Sequence, residues 1–138
     1  TCERYLGMLA MIEQLGTIPA PIVEQVAPLF FADRPDADLM SGFKARLAAW
    51  PADKVAAMVA VGRSFVTRED RIEWLEAISV PALVMTGSQD KARPVLEGYL
   101  MAEVLGCPFK EVPVAGHIAS LENPAFVNDQ LGAFLAAL

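Results

Sequence analysis

The sequence predicts an α/β chain, with helices alone up to about Ala77 and alternating strand and helix from there on. Two observations predict it. Apolar residues recur at helical spacing over the first part, punctuated by prolines and glycines. After it come two short apolar runs, each followed by a helix-like segment, which is the grammar of a parallel sheet with covering helices. The expected division is therefore 1–77, a helical region, and 78–138, a strand–helix–strand–helix segment.

In the helical region, Leu6, Leu9 and Ile12 share a stripe of a helix over Arg4 to Leu15, which Gly16 stops. Pro19 and Pro21 open a second helix with Ile22, Val23, Val26, Leu29 and Phe30 on its apolar face. Pro28 marks a kink or an early end. Asp33 and Pro35 mark a turn before a third helix carrying Leu39, Met40, Phe43, Leu47 and Trp50. Pro51 suits the first turn of a fourth, with Val55, Met58 and Val59. Thr67 and Asp70 read as a capping box opening a fifth over Ile72 and Leu75.

In the second part, Val80 to Thr86 reads as a buried parallel strand ending at Gly87, with Pro81 at its start. Pro94 opens a helix to Leu105, closed by Gly106. Phe109 to Val114 is the second strand. Asn123 and Pro124 are the N-cap and first-turn residue of a last helix, with Val127, Leu131, Phe134, Leu135 and Leu138 on one face. Two parallel strands are too few for a buried sheet, so further strands are expected from a partner polypeptide or an upstream segment.

Composition narrows the function. The chain has 138 residues, 54% of them apolar, enough for one domain with a real core. A net charge of −6 disfavours a phosphate backbone, so no nucleic-acid partner is expected. No apolar run is long enough to span a bilayer and no basic amphipathic stretch suggests its surface, so no membrane partner is expected. No signal peptide is read at the start of the chain. Cys2 and Cys107 have neither metal-ligand nor redox spacing. They read as free thiols of a reducing, cytoplasmic protein, although a disulfide between them is not excluded by sequence. No metal and no cofactor is expected.

Ligands of open α/β sheets bind beyond the carboxyl ends of the strands. The first strand runs into Gly87-Ser88-Gln89-Asp90 and the second into Ala115-Gly116-His117. Parallel neighbours place Asp90 and His117 on one rim. There the carboxylate can fix the imidazole tautomer and stabilise the imidazolium formed when histidine takes a proton. Asp90 by itself reads as a turn residue and His117 by itself as a loop residue; the pairing in order, with one helix between, is what points to chemistry. His117 follows Asp90 by 27 residues, room for that crossover helix.

These segments resemble the acid and histidine segments of the α/β-hydrolase superfamily. The residues that carry the resemblance are Ile78, Val80-Pro81, Leu83-Val84-Met85, Gly87, Asp90 and Pro94, then Gly116-His117, Glu122 and Pro124. The resemblance implies the C-terminal half of such a hydrolase. The region before Ile78 takes the place of a helical lid, in the style of enol-lactonase and small carboxylesterase members. It implies a Ser-Asp-His mechanism on a small ester or lactone, with His117 as general base then acid and Asp90 orienting it.

The nucleophile elbow, Gly-x-Ser-x-Gly, is absent. Gly62-Arg63-Ser64-Phe65-Val66 lacks the second glycine and any preceding strand. Ser88 and Ser120 have no elbow either. The expected partner is thus a nucleophile-bearing N-terminal half, from the same gene or a second chain, or another copy through self-association. Two alternatives stand beside the serine hydrolase. One is an epoxide hydrolase or haloalkane dehalogenase-like enzyme with an aspartate nucleophile; the other is a non-catalytic binding or assembly module. Glu122 reads as structural, bonding the loop around His117. The lid methionines and aromatics read mostly as packing, some of them as pocket lining.

Overall fold

The computed structural model describes residues 2–138. In chain order it comprises α1 (Cys2–Leu15), α2 (Ala20–Val26), α3 (Ala37–Ala48), α4 (Val55–Thr67), β1 (Val84–Gly87), α5 (Val95–Leu105), β2 (Phe109–Val112), α6 (Ala119–Glu122) and α7 (Pro124–Ala136). Single 3₁₀ segments lie at Ala27–Phe30, Ala52–Lys54 and Ile72–Ala77. The chain divides into two compact units: Thr1–Ala27 with Ser41–Asp70, and Pro28–Met40 with Arg71–Leu138.

The first unit is helical. α1 lies against α4, and its core is Leu9, Ile12, Ile18, Ile22, Val23, Val55 and Val59. Leu9 and Ile12 are the buried members of the α1 stripe, while Leu6 stays half-buried at its margin. Prolines act as expected here. Pro19 and Pro21 flank the start of α2, and the helix tightens into a 3₁₀ turn across Pro28.

The second unit holds the sheet. β1 and β2 are parallel, in register from Val84 beside Phe109 to Gly87 beside Val112. α5 crosses over them, close to both strands and to the Ile72–Ala77 segment. Gly98 lets α5 approach: a Cβ there would meet the Phe109 ring at 3.1 Å and the Thr86 side chain closer still. α5 ends on Gly106 in the left-handed region, φ +61, as a C-terminal glycine should. Asn123 caps α7 by accepting from Phe126 N, with Pro124 in the first turn.

Three sequence expectations change. Both strands are shorter than their apolar runs. β1 begins at Val84, with Val80 69% exposed, and β2 stops at Val112 because Val114 turns to φ +52. The Thr67–Asp70 capping box does not form. Thr67 is the last residue of α4, and its hydroxyl donates to Arg63 O, the back-bonding open to a threonine inside a helix. The segment over Ile72 and Leu75 is 3₁₀ rather than α. The two thiols are unpaired. Among the described residues no helix is long and apolar enough to cross a membrane.

Candidate active site

The equal register of β1 and β2 delivers two loops at the same level, and backbone bonds join them. Ser88 N donates to Val112 O and Gln89 N to Ala115 O. Ser88 Oγ accepts from Val114 N at 2.9 Å, the residue whose backbone is left-handed. A β-branched side chain there is strained, so the sharp turn after β2 is imposed by its surroundings. The two glycines are steric requirements of the same junction. A Cβ on Gly87 would fall 2.7 Å from Ala115 C, and one on Gly116 would fall 2.7 Å from Ala32 N.

This junction brings Asp90 and His117 together. His117 Nδ1 lies 2.8 Å from Asp90 Oδ2. The other carboxylate oxygen, Oδ1, accepts from Ala92 N and Arg93 N, both at 2.8 Å. The Asp90 side chain is only 5% exposed and that of His117 38%. A buried carboxylate is thus fixed by two amides and presents its remaining oxygen to an imidazole that is itself open to solvent. Such a carboxylate accepts from Nδ1–H, which leaves Nε2 as the basic nitrogen. The Phe30 ring meets the imidazole edge-on, with centroids 5.4 Å apart.

Glu122 supports the histidine loop, as its place in the sequence suggests. Its Oε2 accepts from Gly116 N at 2.7 Å. Sequence reasoning missed its second bond, from Ala32 N to Oε1 at 2.9 Å, and also the bond from Asp33 N to Gln89 Oε1. No signal in the sequence links positions so far apart.

Two of the serines have other partners. Ser88 Oγ is engaged by Val114, and Ser64 Oγ donates to Val61 O within α4, in the other compact unit. A cavity of about 520 Å³ lined by Val80, Pro81, Leu105, Cys107, Phe134 and Leu138 lies at the amino ends of the strands, away from the Asp90–His117 pair. No cluster of residues able to hold a metal occurs among the described residues.

The same architecture occurs in solved esterases. The chain superposes on a thermophilic esterase from Thermogutta terrifontis, in its malate-bound form, with a TM-score of 0.84 and 23% identity, over 99% of this chain and 50% of that one. An esterase from Exiguobacterium antarcticum gives 0.75 at 18% identity, over 99% and 48%. A serine hydrolase involved in carbazole degradation gives 0.67 at 20%, over 87% and 48%. The chain therefore has the fold of the C-terminal half of an α/β-hydrolase, and spans about half the length of these proteins. No family model and no curated protein matches the sequence.

Proposed function

We propose that this chain supplies the acid and the histidine of a serine hydrolase acting on a small ester or lactone. The observation that carries the reading is the pairing of His117 Nδ1 with a carboxylate whose second oxygen is held by two backbone amides. In this reading His117 Nε2 takes the proton from an attacking serine hydroxyl and returns it to the leaving group, while Asp90 holds the tautomer and stabilises the imidazolium. The nucleophile and oxyanion donors come from a polypeptide segment that completes the sheet beside β1. In the solved esterases the matched region is likewise only half of the chain. In this reading the helical region up to Ala77 takes the place that a lid has in such hydrolases.

The free edge of β1 and the apolar residues left open around it suit such a completion. Val84, Met85 and Thr86 are only half-buried, and Val80, just before the strand, is 69% exposed. The test has two steps. A denaturing intact-mass spectrum of the purified protein identifies any longer parent chain or second polypeptide. The completed protein is then assayed on a chromogenic short-chain ester. His117→Ala is expected to lower kcat/KM by at least about 10³-fold, the scale on which a triad member acts. An unchanged rate overturns the assignment. An aspartate at the completing segment's elbow would move the reading to alkyl-enzyme chemistry, with His117 activating water.

A further inference from the structure

We propose that Glu122 is a positioning residue for His117, holding the imidazole in register with Asp90 by tying the histidine loop to the Phe30–Ala32 segment. The proposal rests on the reading of Asp90 and His117 as a working pair, and goes beyond it in naming what aims that pair. The histidine loop has little regular structure of its own. It leaves β2 at Val112, passes through the strained Val114, and reaches α6 only at Ala119. Ser88 and Gln89 hold its first part, at Val114 and Ala115; from Gly116 on, the loop is held by contact with Phe30–Ala32, about ninety residues earlier in the chain.

Several contacts make that connection. Glu122 accepts from Gly116 N with one oxygen and from Ala32 N with the other, at 2.7 and 2.9 Å. Ile118 N donates to Phe30 O at 3.2 Å. Gly116 lies directly against the Phe31 and Ala32 backbone, where no Cβ fits. The Phe30 ring meets the imidazole itself. Phe31 and Ala32 are buried, at 0% and 3% exposure, so the anchor is a fixed one.

The amides bridged by Glu122 belong to the residue before His117 and to a separate segment. A carboxylate is the acceptor this task needs. It offers an acceptor oxygen to each donor, and bonds to a charged acceptor are the stronger kind. An amide in its place offers one oxygen and turns an N–H toward the other donor. Losing one of the two bonds lets the loop move relative to Asp90, and the carboxylate–imidazole bond depends on that register.

The readout is the tautomer of the neutral His117 ring. Protein as isolated, with any completing polypeptide, is labelled with ¹⁵N-histidine, and His117 is assigned by the signal missing from His117→Ala. In the unmodified protein the Nδ1–H form is expected to dominate, and Asp90→Ala to abolish that bias. Glu122→Gln is expected to lower the Nδ1–H to Nε2–H ratio about tenfold, the scale of one charge-assisted hydrogen bond. Glu122→Ala should do at least as much; if it does not fold, the isosteric glutamine decides.

Asn123→Ala removes the neighbouring bonds to Pro113 O and Phe126 N and is expected to leave the ratio in place. An unchanged ratio in Glu122→Gln overturns the proposal, even if Gly116 N exchanges faster, because Glu122 would then serve stability alone. An equal fall in Asn123→Ala overturns it too, since any loosening of the loop would do the same. A ring without Nδ1–H bias that ignores Asp90→Ala is a different failure, that of the Asp90–His117 reading itself.

Discussion

Asp90 accepts from two backbone amides and from the His117 ring. A carboxylate so held has little freedom to follow a moving imidazole, so alignment falls to the histidine loop. Two residues of that loop should reveal its mechanics. Val114 sits at φ +52 and is 67% exposed, so its side chain contributes little burial to offset the backbone strain. Val114→Asn, which tolerates the left-handed region, is expected to raise stability by about 1 kcal/mol in urea unfolding. Gly116→Ala should act in the opposite sense. Its methyl group would lie 2.7 Å from Ala32 N and 2.8 Å from Phe31 Cα, a clash with backbone rather than with a yielding side chain. A loss of about 1–3 kcal/mol is expected, together with a shift of the His117 resonances.

Among the elements, α1 and α4 show where the stability of the first unit resides. Ile12 is 3% exposed and Val59 is fully buried. Ile12→Ala is expected to cost about 3 kcal/mol, as large-to-small core changes do. Its neighbour Glu13 bonds Arg63 at 2.6 Å, but both side chains are nearly half exposed. Glu13→Gln should therefore cost less than about 1 kcal/mol by the same unfolding measurement.

α5 offers a pH readout on its exposed face. The Tyr99 phenol is held above its ordinary range by its hydrogen bond to Glu103, then by that carboxylate's charge and by slight burial. This bond favours the neutral phenol. Its contribution is full below the titration of the unfolded chain's phenol and is lost as pH rises through the folded one. Ultraviolet titration should show Tyr99 ionising late, and Glu103→Gln should bring it back toward ordinary behaviour.

At the scale of the whole molecule, a two-stranded parallel sheet with half-buried strands is incomplete by the ordinary rules of such sheets. Isolated from any completing polypeptide, the protein is expected to self-associate in light scattering at micromolar concentration. Addition of that polypeptide should restore a defined species. A compact monomer would show that the β1 edge needs no cover.

The sequence by itself determined the order and type of most elements, because apolar period, prolines and glycines act over a few residues. It also placed Asp90 and His117 on one rim, since two parallel strands with one crossover leave them no other place. It overextended both strands, because an apolar run does not say where a backbone turns. Val114 is apolar like its neighbours, and only its hydrogen bond to Ser88 and the crowding at Gly87 and Gly116 bend the chain there. Only the tertiary structure could reveal that Glu122 joins Gly116 to Ala32 and that Phe30 meets the imidazole. Those contacts link positions about ninety residues apart, and no local pattern encodes them. The propensities that form helices and turns are local, whereas the aim of a side chain such as that of His117 depends on packing between distant segments.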